Sequence, residues 1–468
     1  MEKKQSRGSF TGRLGFVLAA AGSAVGLGNI WRFPYLAAKD GGGLFLLTYL
    51  ILALTFGFTL LITEISIGRK TGLSPLVAYK KIHPKMGWVG VVACIIPALI
   101  LPYYCVIGGW VLKYLSVFVT GQGAAAATGG YFDGFIAEQW SPILWFAVYL
   151  IISAFVVYKG VNKGIERLSK VLMPILLVLI LGIAVYSLSL QNTDAGGATR
   201  TGLEGFKIYL IPNFHGMTLK QFLVILTDAM GQLFYSISVA MGIMITYGSY
   251  VDKETDLNKS VTQIEFFDTS VAFLAGMMMI PAVFTFMGTE GLKASGPSLM
   301  FVALPKVFSA MGPVVGVIVG ILFFVTVFFA ALTSSVSIME AVVSCVVDKF
   351  SVERKKATGL VVLFAAVVGI LVCLGYNALY FKATLPNGTT AQILDVLDYI
   401  SNYVLMPVIS IATCIFVGWI AKPKLIIDEV TLGGFKFRRE KLYVVMVKYI
   451  TPVLLTFLLL QALGIVKF

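Results

Sequence analysis

Apolar segments long enough to cross a bilayer recur along the whole chain, and this repetition constrains its fold more than any other feature. A membrane-spanning helix needs roughly 20 apolar residues. Of the 468 residues, 58% are hydrophobic and only 13% are charged, which fits repeated spans without a soluble domain. We therefore predict an all-α polytopic membrane protein with eleven transmembrane helices. The predicted helices cover residues 13–37, 42–69, 88–120, 140–158, 165–190, 218–249, 259–287, 312–348, 357–378, 392–420 and 440–466.

Basic residues are distributed unevenly between the predicted loops. Most of the 36 Lys and Arg residues fall in alternate loops, beginning with the amino-terminal segment. Such a bias marks the cytoplasmic side of a membrane protein. We therefore expect a cell-membrane protein with a cytoplasmic amino terminus and, because the helix number is odd, an extracellular carboxyl terminus. In a chain this apolar, the surplus positive charge indicates cytoplasmic loops and not nucleic-acid binding.

The first predicted helix carries unfavourable residues in its own middle. The stretch LAAAGSAVGLGNIWRFPYL (18–36) contains Gly22, Gly26 and Gly28, followed by Asn29 and Arg32. Opening a helix at bilayer depth frees carbonyl and amide groups that lipid cannot satisfy. Such a break must therefore face a wet cavity, an ion or a substrate. The alternative is a packing role, since glycines also let membrane helices approach closely.

The sixth predicted helix, TDAMGQLFYSISVAMGIMITYGSYV (227–251), is interrupted in the same way. Its glycines and central polar residues are Gly231, Gly242, Gly248, Gln232, Ser236 and Ser238. The two broken helices lie five helices apart and run in opposite directions, which is the pattern of an inverted repeat with its binding site at the breaks. The predicted parts are a cytoplasmic segment 1–12, a first repeat 13–190 (helices 1–5), an extracellular loop 191–217, a second repeat 218–420 (helices 6–10), and an inner loop with helix 11 at 421–468.

The two predicted breaks favour particular ligands. Freed carbonyls and helix carboxyl ends suit a small cation, whereas a freed helix amino end suits a carboxylate. Sodium, like calcium, is a hard cation that prefers oxygen ligands. The breaks therefore indicate a site for sodium beside an anionic group.

Seven motifs follow one another along nearly the whole chain. They are GSAVGLGNIWRFPY (22–35), KDGGG (39–43), EISIGR (64–69), PYY (102–104), GQLFYSIS (231–238), ITYGSY (245–250) and FFAALTSSVSIME (328–340). In this order they resemble the neurotransmitter:sodium symporter family, especially its bacterial amino-acid-transporting members. The resemblance implies sodium-coupled amino-acid uptake by alternating access and no enzymatic activity. It also implies an amino-acid substrate and a lipid bilayer as partners, and no nucleic acid.

The resemblance implies two sodium sites. The first would comprise Ala24, Asn29, Ser236 and Asp268, together with the substrate carboxylate. The second would comprise Gly22, Val25, Ala330, Thr333 and Ser334. Thr333 and Ser334 have an alternative role, because membrane Ser and Thr side chains often bond back to their own helix. The formal charge of Asp268 would balance sodium, so we expect chloride-independent transport.

The resemblance also places an amino-acid substrate between the two broken helices. The implied binding residues are Ala24, Leu27, Gly28, Ile100, Tyr104, Tyr235, Ser238, Ala240, Met241, Ser335 and Ile338. No charged residue surrounds the expected side-chain end, which favours a neutral, apolar amino acid. Ala240 and Met241 replace a glycine and an aromatic residue that are usual in the family. Aliphatic substrates are therefore favoured, with aromatic ones as the alternative.

Several further residues take implied roles in gating. Arg32 and Asp398 would form an outer ion pair above Tyr104 and Tyr235. On the inner side the implied gate consists of Arg7, Asp348 and the aromatic plug Phe10. The alternative, a pair of solvated surface charges, is stronger for Arg7 than for Arg32.

Three implied roles concern helix movement. Glu64 would accept hydrogen bonds from the opened sixth helix, with Gln232 also close to the break. Gly164 and Pro174 enclose nine residues in GIERLSKVLMP (164–174), a spacing that resembles a motif allowing helix 5 to unwind. An ordinary proline kink explains the same spacing, because proline removes a backbone donor.

Other classes of function fit the sequence less well. A channel needs a continuous polar pore, whereas the polar residues here cluster at one depth. A membrane enzyme needs a catalytic group such as HExxH, which the sequence lacks. Proton-coupled transport of an amino acid remains the main alternative, since Asp268 and Glu64 can titrate.

Overall fold

The computed structural model describes residues 8–194, 196–212, 214, 217–294, 296–386 and 388–466. Its long helices are labelled α1 to α11 in chain order, and two of them are divided. They are α1 (Arg13–Ala24 and Gly28–Lys39), α2 (Gly43–Thr71), α3 (Pro84–Val119), α4 (Ser141–Tyr158), α5 (Val161–Leu188), α6 (Leu219–Ser236 and Ile243–Gly248), α7 (Leu257–Gly291), α8 (Val315–Phe350), α9 (Arg354–Leu374), α10 (Ile393–Ile420) and α11 (Glu440–Ala462).

Most of these helices are long and apolar enough to cross a membrane. Among the described residues nine pass this test as single helices, and the two parts of α1, bent by 54°, pass it together. The prediction of a mostly helical, polytopic membrane protein is thereby confirmed. The predicted limits differ by a few residues at most ends, because apolarity alone does not locate a helix cap.

The broken helices lie inside a shell of unbroken ones. The first part of α1 packs against α7 and α8, and the second part against α7. The first part of α6 packs on α2 near its start, and the second part on α2 near its end. In the shell, α3 packs along α8 and α4, and α5 packs along α7.

Many apolar side chains of the long helices are exposed. Leu144 on α4, Val178 on α5 and Leu363 on α9 each expose more than 60% of their surface. Exposed apolar surface on this scale marks contact with lipid or with a partner. On helices of this length and hydropathy, it is the face that acyl chains cover.

Short elements connect the long helices. The short helices are Pro75–Ile82, Gly123–Ala126, Tyr131–Ala137, Gly202–Leu210, Gly296–Ala310 and Lys424–Val430. Two antiparallel hairpins pair β1 (Gln191–Thr193) with β2 (Thr199–Thr201), and β3 (Ala383–Thr384) with β4 (Thr390–Ala391). Two of the short helices, Gly202–Leu210 and Gly296–Ala310, lie in the long connections that follow α5 and α7.

Candidate functional site

The first break lies in α1 between Ala24 and Gly28. Val25 is extended (φ −73°, ψ 98°), which ends the first part of the helix. The Gly26 amide donates to Asn29 Oδ1 at 3.1 Å, so Asn29 satisfies a backbone group that the break frees. Glycine is required at position 26 for close approach, because a Cβ there would lie 2.8 Å from Ser334 Oγ.

The second break lies in α6 between Ser236 and Ile243. Ser238, Ala240 and Gly242 have positive φ angles of 54°, 64° and 70°. Only glycine adopts this region without strain. The buried carboxylate of Glu64 accepts from the Ala240 amide at 2.6 Å and holds the strained turn in place.

The three glycines noted in the sixth predicted helix lie at different places in α6. Gly231 lies inside the helical first part, and Gly248 ends the helical second part. A Cβ on Gly248 would lie 2.3 Å from the Ile65 carbonyl oxygen, so this glycine serves close packing of α6 on α2. Of the three, only Gly242 lies at the break.

A buried polar cluster surrounds Asp268 of α7. Its Oδ1 accepts from Asn29 Nδ2 at 2.8 Å and from Ser236 Oγ at 2.7 Å, and the residue has no exposed surface. These residues come from α1, α6 and α7, and the sequence implied that they meet. Tyr49 of α2 joins them through a 3.3 Å bond from its hydroxyl to Oδ2, and sequence reasoning missed it.

Gln232 lies in the same layer of the molecule. Its Nε2 donates to the Gly28 carbonyl at 3.0 Å, which links the first part of α6 to the second part of α1. Gln232 is fully buried. The expected position of Gln232 beside the breaks is therefore observed.

A second group of oxygens lies between α1 and α8. Ser334 Oγ is 3.0 Å from the Ser23 carbonyl and 3.3 Å from the Val25 carbonyl. Thr333 Oγ1 donates to the carbonyls of Phe329 and Ala330 on its own helix, each at 3.1 Å. The back-bonding alternative therefore describes Thr333, whereas Ser334 reaches across to α1.

Gly22 and Ser23 also contribute to this contact. A Cβ on Gly22 would lie 3.3 Å from Thr333 Cβ, so the residues of the second implied sodium site are neighbours. The Ser23 carbonyl accepts from Ser238 Oγ at 3.0 Å as well as from Ser334. Ser23 was missed from the sequence, although it lies within the motif GSAVG.

A cavity with about 360 Å³ of free space lies between the two breaks; we call it the central cavity. Its lining consists of Ser23, Ala24, Gly26, Leu27, Gly28, Asn29, Ile100, Tyr104, Tyr235, Ser236, Ser238, Met241, Ser334 and Ile338. Among the described residues the lining includes no charged side chain. The Tyr104 hydroxyl accepts from the Leu27 amide at 3.4 Å.

Two implied substrate residues do not reach this cavity. Ala240 turns its amide towards Glu64 and lies outside the lining. Ser335 is fully buried, and its hydroxyl lies 3.1 Å from the Tyr149 hydroxyl and 2.9 Å from Ser153 Oγ. Position 335 points away from the cavity because successive residues of α8 face different directions.

A larger cavity, the vestibule, lies beside the central cavity and shares Tyr235 with it. It has about 750 Å³ of free space. Its lining consists of Arg32, Thr227, Asp228, Gly231, Phe234, Tyr235, Asn402, Tyr403, Met406, Leu458, Gln461 and Ala462. Tyr235 therefore forms the partition between the two cavities.

The implied outer ion pair is not formed in this structure. The Arg32 guanidinium lies over the rings of Tyr235 (5.9 Å) and Tyr403 (5.7 Å), and no described carboxylate lies within 4.0 Å of it. Asp398 instead accepts from the Tyr103 hydroxyl at 3.0 Å and from Asn402 Nδ2 at 2.5 Å. In this conformation Arg32 and Asp398 therefore have separate partners.

The opposite end of the bundle is closed by the amino-terminal segment. Phe10 is buried and packs against the rings of Phe16, Tyr247 and Tyr250 at 5.6–6.2 Å. Its amide donates to the Tyr250 carbonyl at 3.1 Å. Asp348 Oδ2 accepts from the Ser74 amide at 2.6 Å. Arg7, the implied partner of Asp348, lies outside the described residues.

The segment between Gly164 and Pro174 is helical throughout. Helix α5 begins with a wide, π-helical turn over Val161–Glu166, and its α-helical part continues past Pro174 without a break. A Cβ on Gly164 would lie 2.0 Å from the Val156 carbonyl oxygen, so this glycine also serves close packing. The expected unwinding is not present in this conformation.

Broken helices around a cavity, within a multi-pass bundle, are the architecture of secondary transporters. The chain belongs to the sodium:neurotransmitter symporter family, whose model matches residues 7–127 and 137–468. Members of this family are transporters and not enzymes, as the motifs implied.

Similar proteins agree with this assignment. The uncharacterized sodium-dependent transporter YhdH of Bacillus subtilis is 33% identical, over 97% of this chain and 98% of its own length. The human sodium- and chloride-dependent GABA transporter 2 is 26% identical, over 80% of this chain and 68% of its own length. The crystal structure of MhsT in complex with L-phenylalanine superposes with a TM-score of 0.84 at 35% identity, covering 98% of this chain and 100% of MhsT.

Proposed function

We propose that this protein is a sodium-coupled symporter that imports a neutral, apolar L-amino acid by alternating access. The observation that carries the proposal is the central cavity, which joins backbone groups of both breaks to the Asp268 cluster. At its other end the cavity presents Ile100, Met241 and Ile338. A zwitterion with an apolar side chain matches these two ends.

Sodium is proposed as co-substrate at two sites. At the first, the Ala24 carbonyl, Asn29, Ser236 and Asp268 supply oxygen ligands around one formal negative charge, which a hard cation prefers. At the second, the carbonyls of Gly22, Val25 and Ala330 join the hydroxyls of Thr333 and Ser334. Both hydroxyls bond to carbonyls in this structure, so each is free to turn its lone pairs towards an ion.

Chloride independence follows from the charge of Asp268. A sodium ion in a buried site needs a nearby negative charge, because an uncompensated charge is costly there. Asp268 supplies that charge from the protein itself. We therefore propose that bound chloride is not required.

The substrate is proposed to be aliphatic, with aromatic side chains as the alternative. The apolar lining and the flexible Met241 support both. MhsT, which has a similar fold, is found with L-phenylalanine, and this supports the aromatic alternative. One methylene group changes binding by only about 1–3 kcal/mol, so related amino acids are expected to share the site.

Alternating access is proposed to move the parts that the two breaks separate. The eleven helices would form a five-plus-five inverted repeat, with both breaks at mid-membrane, the amino terminus in the cytoplasm and the carboxyl terminus outside the cell membrane. Closure of the vestibule would bring Arg32 to Asp398. Release of Phe10, together with opening of the segment from Gly164 to Pro174, would admit water from the other side.

Uptake into proteoliposomes tests the proposed coupling. Purified protein is reconstituted, and uptake of labelled leucine and phenylalanine is measured under a sodium gradient or a proton gradient alone. We expect uptake only with inward-directed sodium, unchanged when gluconate replaces chloride. Uptake driven by the proton gradient without sodium would instead establish proton coupling through buried carboxylates such as Asp268 and Glu64.

A further inference from the structure

One cationic side chain lies within a membrane span and apart from the transport site. Lys448 follows the start of α11 at Glu440 by eight residues, or about 12 Å along the helix axis. A charged group within a membrane span needs a partner. Among the described residues no carboxylate lies within 4.0 Å of its ammonium group.

Lys448 is held against Trp419 at the end of α10. Its ammonium lies 5.4 Å from the centre of the indole ring, within the range of a cation–π contact. The indole Nε1 donates to the Lys448 carbonyl at 3.2 Å. The helices approach closely here, because a Cβ on Gly418 would lie only 3.2 Å from the Val447 carbonyl oxygen. The lysine and the indole are therefore fixed in relation to each other.

The aromatic residues at this point are on the surface of the bundle. Trp419 exposes 54% and Tyr449 exposes 53% of its surface, and their rings meet edge to face at 5.5 Å. Exposed Ile415 and Ile450 adjoin them along the same two helices. Trp and Tyr rings with one apolar and one polar end are typical of the boundary between acyl chains and headgroups.

The neighbouring loop adds positive charge. Its exposed basic residues are Lys422, Lys424, Lys436, Arg438 and Lys441. Clusters of Lys and Arg beside a membrane span attract anionic lipid headgroups. The surface thus combines a fixed cation, two amphipathic rings and adjoining apolar side chains.

We propose that Trp419, Lys448 and Tyr449 form a binding site for an anionic phospholipid. The phosphate of the headgroup pairs with the Lys448 ammonium, and the acyl chains lie along Ile415 and Ile450. A lateral apolar face favours a lipid over a soluble phosphate, because only a lipid covers both the cation and the isoleucines. The proposal depends on membrane insertion and not on the identity of the transported substrate.

A second cation–aromatic contact provides a useful contrast. Lys355 lies 5.3 Å from the Tyr158 ring, but it belongs to the first turn of α9 and is exposed to solvent. Its charge needs no lipid phosphate. Lys355→Gln therefore serves as a matched control for removal of one basic charge beside a ring.

Native mass spectrometry of the full chain measures the proposed site. Detergent-purified protein is titrated with phosphatidylglycerol or phosphatidylcholine, and the apparent affinity for the first bound lipid is compared. We expect preferential retention of phosphatidylglycerol. Lys448→Gln should weaken that retention about fivefold, the contribution of one basic residue near an anionic surface, whereas Lys448→Arg should preserve it.

The controls separate a defined site from general attraction. Lys355→Gln should leave the affinity for phosphatidylglycerol unchanged. An equal loss in Lys355→Gln and Lys448→Gln would overturn the proposal, as would equal retention of the two lipids by the unaltered protein. Should Lys448→Gln fail to fold, Trp419→Phe with Tyr449→Leu provides a second variant, and unchanged lipid preference there would also overturn it.

Discussion

Removing the charge of Asp268 should reduce sodium binding at the proposed first site more than any other single substitution. Asn29 and Ser236 donate to one carboxylate oxygen, Tyr49 donates to the other, and the residue is fully buried. Asp268→Asn keeps the shape of the side chain but removes its negative charge. It also replaces one acceptor oxygen by an NH₂ donor, which faces donors that are already present.

The expected loss is large because Asp268 is fully buried. Removing one partner of a buried ion pair typically costs about 3–5 kcal/mol. For a bound sodium ion this corresponds to a decrease in affinity of about 100- to 5,000-fold. In the variant, the donors of Asn29, Ser236 and Tyr49 would also be free to surround an anion, so chloride should restore part of the lost affinity.

Sodium titration of amino-acid binding measures this effect. Purified protein is assayed with labelled substrate at increasing sodium, first in gluconate and then in chloride. The matched control is Asp228→Asn, which removes the same charge from the vestibule, where Asp228 pairs with Lys39 at 2.6 Å. The reasoning would be refuted if Asp268→Asn bound sodium in gluconate as tightly as the wild type does. It would also be refuted if Asp228→Asn lost as much sodium affinity as Asp268→Asn.

Substitutions at three further positions test single features. Ala240→Gly should raise the thermal midpoint in detergent, since glycine removes a left-handed strain (φ 64°) of about 1 kcal/mol; a lower midpoint would contradict this. Glu64→Ala should lower the free energy of unfolding by about 1–3 kcal/mol more than Glu64→Gln, because only alanine leaves the Ala240 amide without its acceptor. Equal thermal midpoints of the two variants would argue against that hydrogen bond. Burial, aided by the charge of Asp228, raises the pKa of Asp40 in the loop after α1 from 3.8 to about 7. The folded protein then binds more protons than the unfolded chain between these values, so stability should fall as pH rises from about 4 to 7, and Asp40→Asn should flatten that slope.

The long helices could be predicted because their cause is local. A span needs a run of apolar residues, and the sequence contains those runs. The break in α1 was also predictable, because the glycines at 26 and 28 adjoin Asn29, whose side chain satisfies a freed amide. At the break in α1, the low helix propensity of the glycines and the tertiary structure favour the same conformation.

The break in α6 was expected from the sequence, but its exact place and its backbone conformation were not. Its strained residues include Ser238 and Ala240, and neither residue type favours a positive φ angle. The turn persists because a carboxylate from α2 accepts the Ala240 amide. That contact joins positions far apart in the chain, so the family resemblance implied it whereas no local pattern did. Tyr49 was missed for the same reason, since its hydroxyl reaches Asp268 from a distant helix.

The gates could not be placed from the sequence because they depend on conformation. Arg32 and Asp398 lie on different helices, and in this structure each has other partners. The segment from Gly164 to Pro174 is likewise helical here. Glycine and proline lower the free energy needed to unwind a helix, but the packing of each conformation decides whether the helix is unwound.

Binding of neutral amino acids to the purified protein, with and without sodium, tests the central proposal most directly. Labelled leucine, methionine and phenylalanine are each equilibrated with the protein in sodium chloride, sodium gluconate and choline chloride. We predict saturable binding of at least one of them in both sodium salts and none in choline. Equal binding in choline, or no binding of any neutral amino acid in sodium, would contradict the proposed function.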